Sequence, residues 1–115
     1  MILNTRKMDF ARNRSEWTQI CDLTIDPSAP LAKRAGHMIL LTRSEHRLLQ
    51  FLADNRGKVV SRSMIWENVY EGEGDIKSNL IDVCIHNLRT KIDKGFEVPL
   101  ILTHWGNGYL LREDV

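Results

Sequence analysis

The spacing of apolar residues changes at Thr42, and that change constrains the fold more than any other feature of the chain. As far as Leu41 they alternate or run in short stretches, broken by Pro27, Pro30 and Ala35-Gly36. Beyond Thr42 they recur every three or four residues as far as Ile92. Alternation sends side chains to opposite faces of a strand, whereas steps of three and four line one face of a helix. Strands, then helices, then a closing glycine-rich strand pair make an α+β chain with a small antiparallel sheet at its start. Its 115 residues suit one domain with one core.

Trp17 to Asp26 reads as one strand, with Trp17, Cys21, Leu23 and Ile25 on one side and Thr18, Asp22 and Thr24 on the other. Ile20 breaks the alternation. After the prolines a second strand pair turns at Ala35-Gly36 and ends in the apolar run Met38–Leu41. Residues 1–15 are a polar, arginine-containing lead-in expected to be flexible, so the domain is expected to occupy residues 16–115.

Thr42-Arg43-Ser44-Glu45 has the form of a capping box, in which threonine accepts from an early helix amide and glutamate reaches back. Leu48, Leu49, Phe51 and Leu52 then share an arc, and Asn55-Arg56-Gly57 stops the helix. After the extended link Val59-Val60, Ser61 caps a second helix with Ile65, Trp66, Val69 and Tyr70 on one face. Glu71–Asp75, with two glycines, forms a loop. A third helix spans about 78–93. Leu80, Ile81, Cys84, Ile85, Leu88 and Ile92 fall on its apolar arc of roughly 140°. Asn79, Asp82, Val83, His86, Arg89, Thr90, Asp93 and Lys94 face the other way, with Asn87 at the edge. Residues 100–112 form a hairpin about His104-Trp105-Gly106-Asn107-Gly108.

Three helices followed by a hairpin describe a winged helix-turn-helix. The major groove admits one helix, whose outward side chains reach base edges, and a hairpin beside it can touch the minor groove or backbone. From periodicity alone, a solvated helix face explains the outward residues equally well. Sixteen basic against fifteen acidic residues leave a net charge of only +1. The charge is unevenly placed, with Glu67, Glu71, Glu73 and Asp75 in one stretch and Arg89, Lys91 and Lys94 in another.

Several classes are disfavoured. The chain contains no apolar run of membrane-spanning length, and Met1–Glu16 is too polar for a signal peptide, so a cytoplasmic protein without a membrane partner is expected. Cys21 and Cys84 are expected to be thiols there. A metal trio of Cys84, His86 and His104 is opposed by helical geometry, because Cys84 faces the core and His86 does not. Ser61, Ser63 and Ser78 read as caps or turn residues, and His37 and His46 as surface residues. With no nucleophile–base set or phosphate-cradling loop, neither an enzyme nor a cofactor is expected.

Four stretches resemble the effector domain of OmpR/PhoB-type response regulators. Leu41-Thr42-Arg43-Ser44-Glu45 with Leu48-Leu49 is similar to L-T-x-x-E-x-x-L-L. Asn55 to Arg62 is similar to N-x-G-x-V-x-S-R. Ser78 to Ile85 with Leu88-Arg89-Thr90-Lys91-Ile92 is similar to S-N-x-V-D-V-x-I-x-x-L-R-x-K-I, and Gly106-Asn107-Gly108-Tyr109 to the wing's G-x-G-Y. The segment from Ile92-Asp93 to Leu100-Ile101 resembles the heavy-metal-responsive branch.

The resemblance implies an N-terminal four-stranded sheet, three helices and a wing. It further implies binding to double-stranded promoter DNA as tandem or head-to-tail homodimers, and contact with RNA polymerase through the loop before the recognition helix. Carried over by position, the base-facing candidates are Asp82, Val83, His86, Asn87 and Arg89. The backbone or wing candidates are Arg43, Lys77, Lys91, Trp105 and Asn107, and Glu71, Glu73 and Asp75 would face polymerase.

The departures matter as much. His86-Asn87 stand where the family usually has two arginines, and Trp105 where the wing usually has one. Fewer cations release fewer counterions, which points to a shallower salt dependence or to a weakened DNA function. A module that chiefly docks on polymerase or another regulator is the alternative. His86 can regain charge by protonation beside phosphates. Trp105 is expected on the hairpin surface, as a stacking or wedge residue. No receiver precedes Trp17, so the chain is expected to be an excised effector domain or, with Met1 at its start, a stand-alone regulator.

Overall fold

The computed structural model describes residues 17–72 and 74–114. The flexible lead-in expected over 1–15 and the loop residue Glu73 lie outside the described residues. Four strands come first: β1 (Thr18–Ile20), β2 (Leu23–Ile25), β3 (Leu31–Arg34) and β4 (His37–Leu40). They form one antiparallel sheet in the order β1-β2-β3-β4. Three helices follow, α1 (Arg43–Asp54), α2 (Arg62–Val69) and α3 (Ser78–Ile92), and then the hairpin β5 (Ile101–His104) with β6 (Gly108–Leu111).

The single strand expected over Trp17–Asp26 is in fact a hairpin. Ile20 pairs with Leu23 across a two-residue turn at Cys21-Asp22, and Cys21 takes a left-handed φ of 56°. A tight turn restarts the alternation, because partners directly opposite share a face. Ile20, Leu23 and Ile25 therefore all point into the core, and the apparent break at Ile20 marks the end of β1.

The helix signals are realised as local hydrogen bonds. Glu45 N donates to Thr42 Oγ1 at 3.1 Å and Thr42 N to Glu45 Oε1 at 2.9 Å, which closes the capping box. Met64 N donates to Ser61 Oγ at 3.1 Å at the start of α2. The α1 stripe Leu48, Leu49 and Leu52 packs with Ile65 of α2, with Ile81, Ile85, Leu88 and Ile92 of α3, and with the inner face of the sheet.

One apolar assignment fails. Leu80, expected on the buried arc of α3, is 44 % exposed. The packed stripe starts one residue later, at Ile81, because Leu80 lies in the first helical turn beside an open groove that includes Thr42, Tyr70 and Val83.

Arg34 joins the sheet to the far end of α3. Its side chain is only 2 % exposed, and its donors are used on Asp22 Oδ1 (2.6 Å), Ile92 O (2.7 Å), Asp93 Oδ1 (3.2 Å) and Val98 O (2.5 Å). Asp93 in turn accepts from the Leu100 and Ile101 amides at the start of the wing. A buried guanidinium needs acceptors, and each of the three nitrogens here donates to a carboxylate or to a carbonyl at or beyond the end of α3.

Candidate nucleic-acid interface

α2, the loop after it and α3 form the helix-turn-helix, and the β5–β6 hairpin lies beside α3. The hairpin is held from the other side as well. Val60, in the link before α2, bridges Tyr109 of β6 in both directions, N to O at 2.8 Å and O from N at 3.0 Å. Gly108 makes that approach possible. A Cβ there would collide with the Val60 carbonyl and sit 2.9 Å from Ser61 Cα, and its φ of 145° suits glycine alone. This gives the G-x-G-Y motif a steric reason.

The Tyr109 side chain connects three elements. Its hydroxyl donates to Asp82 Oδ1 of α3 at 2.6 Å. Arg62 at the start of α2 donates from Nε to the same oxygen at 2.9 Å, and from Nη2 to the Tyr109 hydroxyl at 3.2 Å. The guanidinium groups of Arg62 and Arg89 lie 5.1 and 5.5 Å from the Tyr109 ring centre, within cation–π range. Arg89 also donates from Nε to Ile101 O at 3.0 Å and from Nη2 to Thr103 Oγ1 at 2.7 Å, both on β5.

Electrostatics follow this geometry. The Tyr109 hydroxyl holds the Asp82 carboxyl below its ordinary value against the opposing effect of burial, and Arg62 lowers it further. Burial, reinforced by the Asp82 acceptor, raises the Tyr109 phenol. The hydrogen bond to Asp82 raises Arg62, so its charge is retained.

The base-facing candidates divide into two groups. Val83, His86 and Asn87 are exposed on α3, Val83 to 54 %. Asp82 and Arg89 are half-buried and bonded within the fold. The backbone candidates divide in the same way. Arg43 is exposed at the first position of α1, and Lys77 is exposed at the N-cap of α3, which has no side-chain cap. Lys91 instead donates from Nζ to the buried Glu45 at 2.6 Å. Burial alone would raise Glu45, but Lys91 and Thr42 outweigh it and hold its carboxyl low.

Trp105 is 87 % exposed at the hairpin tip, in the surface position expected of it. Asn107, also exposed, pairs with His104 Nδ1 at 3.0 Å and closes the tip. Glu71 and Asp75 are exposed in the loop before α3. Arg62 and Tyr109 are site residues that sequence reasoning left without a role. Both lie in quoted motifs, S-R and G-x-G-Y, but only the fold shows that they meet at Asp82. Among the described residues no three His, Cys, Asp or Glu gather to hold a metal ion, and no helix is long and apolar enough to cross a membrane.

A four-stranded antiparallel sheet, three helices and a hairpin anchored to the third helix define a winged helix-turn-helix domain. Residues 36–111 match the family described as "Transcriptional regulatory protein, C terminal", and the chain belongs to that family. It is 41 % identical over 94 residues to the transcriptional regulatory protein CusR of Escherichia coli K12, covering 82 % of this chain and 41 % of the relative. It is 40 % identical over 104 residues to PcoR of Escherichia coli, covering 88 % and 46 %. The chain thus spans less than half the length of these curated relatives.

Among solved structures, the DNA-binding domain of Escherichia coli CpxR superposes with a TM-score of 0.74 at 31 % identity, covering 86 % of this chain and 98 % of that one. The Klebsiella pneumoniae RstA DNA-binding domain in complex with the RstA box superposes with a TM-score of 0.75 at 27 % identity, covering 85 % and 98 %.

Proposed function

We propose that this chain is a sequence-specific double-stranded DNA-binding domain of a bacterial transcription regulator, acting in the cytoplasm and without catalytic activity of its own. α3 enters the major groove with Val83, His86 and Asn87 toward the bases, and the hairpin tip meets the minor groove or backbone. The observation that carries the reading is the joint exposure of the α3 face and of Trp105, on elements tied together through Tyr109. The similar RstA DNA-binding domain, solved in complex with the RstA box, supports DNA binding by this fold. Arg43 and Lys77 supply the phosphate contacts that set register.

The loop from Glu71 to Asp75 is the surface for RNA polymerase, and tandem copies bind as homodimers on DNA. Exposed Ile76 and Leu80 beside the exposed acidic residues Glu71 and Asp75 favour a protein contact there.

Selection from a random duplex library followed by fluorescence anisotropy tests the proposal. A consensus duplex should emerge and bind more tightly than random duplex. The salt slope should be shallow, because His86, Asn87 and Trp105 supply no fixed positive charge. No consensus and no salt-dependent binding at low salt would leave the domain as a protein-docking module.

A further inference from the structure

We infer that Asp82, Arg62 and Arg89 are positioning residues that set the wing against α3 through Tyr109, rather than readers of base edges. This rests on the DNA-binding reading above. The wing is tied to the helix-turn-helix at separate points. Its backbone is bridged to Val60, its Tyr109 hydroxyl to Asp82, and its β5 strand to Arg89 through a carbonyl and a hydroxyl.

The remaining valences argue the same way. A guanidinium reads guanine with two parallel donors from one edge. The Nε and Nη2 of Arg89 form such an edge, and both already donate to β5. That side edge cannot serve a base while it holds β5, and the two bonds fix the direction of the rest of the guanidinium. Asp82 Oδ1 already accepts from two donors at 2.6 and 2.9 Å. Val83, His86 and Asn87, on the same helix and exposed, have no such commitments to the wing. A registered wing lets helix and hairpin meet the duplex as one rigid body, so less freedom is lost on binding.

Positioning and reading leave different marks. A residue that reads a base loses discrimination at one base pair when changed, whereas a positioning residue loses affinity for every operator variant by one factor. The test uses the selected duplex and its single base-pair substitutions, with Tyr109→Phe, Arg89→Lys, Asp82→Asn and, as a reader control, Asn87→Ala.

Tyr109→Phe, Arg89→Lys and Asp82→Asn should each weaken every duplex by the same factor, on the order of three- to tenfold. Hydroxyl-radical protection under the wing should fade, while the preference profile under α3 stays that of the parent. Asn87→Ala should flatten one position and leave wing protection intact. Loss of preference at a single base pair in Arg89→Lys or Asp82→Asn, with wing protection intact, overturns the inference.

Amide exchange in the free protein separates this failure from failure of DNA binding itself. The Val60 and Tyr109 amides should gain at least about threefold more in exchange rate than the Leu48 amide, which reports global unfolding, in Tyr109→Phe. An equal change at all three amides overturns the clamp whether or not DNA binds.

Discussion

Two arginine–aspartate networks hold α3, one at each end of its working length, and they differ chiefly in their access to water. At the C-terminal end Arg34 is buried among Asp22, Asp93 and the carbonyls of Ile92 and Val98. Toward the reading end Arg62 and Asp82 pair at 2.9 Å with side chains 35 % and 44 % exposed. In the first network Arg34 and Asp93 are 2 % and 10 % exposed and only Asp22, at the rim, meets solvent, so losing Arg34 strands buried partners. In the second, water can replace either partner, so each bond contributes modestly to stability. The helix is fixed firmly where it joins the sheet and wing root, and lightly where it meets the hairpin. Stability and DNA registration are thus assigned to different arginines.

The largest expected effect breaks the buried network. Arg34→Ala should cost about 3–5 kcal/mol in denaturant unfolding, because Asp93 loses its counter-charge and the Ile92 and Val98 carbonyls lose the guanidinium donor. A loss below about 1 kcal/mol would show that the two networks do not differ in the way their burial implies. Next comes Tyr109→Phe, which removes only a hydroxyl. It should cost about 1 kcal/mol in the same measurement, well below Arg34→Ala.

Acid sharpens the contrast further. Folding lowers the Asp82 carboxyl below its ordinary 3.8, so its contribution is complete above that pH and disappears as pH falls through the folded value. The stability gap between the parent and Asp82→Asn should therefore be constant near neutrality and close below about pH 4. A gap that persists unchanged at about pH 2 would mean that the carboxylate charge is not what holds Tyr109 and Arg62.

The smallest effect on stability belongs to the wing tip. Trp105→Ala should change unfolding free energy by less than about 0.5 kcal/mol, since the indole is 87 % exposed. The same change should weaken operator binding at least about fivefold if the ring stacks against DNA. Equal binding by parent and mutant would remove Trp105 from the interface and leave registration to the wing's backbone.

Much of the architecture was legible because its determinants are local. The capping box needs only Thr42 and Glu45 three residues apart, and the α3 stripe from Ile81 to Ile92 needs only the helical repeat. The wing follows from Gly106-Asn107-Gly108-Tyr109, in which Gly108 is required by the approach to Val60. Local pattern failed at its boundaries. The β1–β2 turn at Cys21-Asp22 carries neither glycine nor proline, so it read as an interruption within one strand. Leu80 has the right period, but it lies beyond the helices that would cover it.

The order of elements, the family motifs and the exposed triad Val83, His86 and Asn87 depend on neighbours within about one helical turn and so are written into the chain locally. That Arg89 ties down β5, that Lys91 pairs with Glu45 and that Arg62 meets Asp82 and Tyr109 emerges only when distant segments pack together. Helical periodicity places a side chain on a face but does not say what stands opposite it. A long cation on an outward face looks the same in sequence whether its charge meets a phosphate, a carbonyl or a buried carboxylate. That choice is made by residues 14, 46 and 20 positions away, brought within hydrogen-bonding distance by packing of the core.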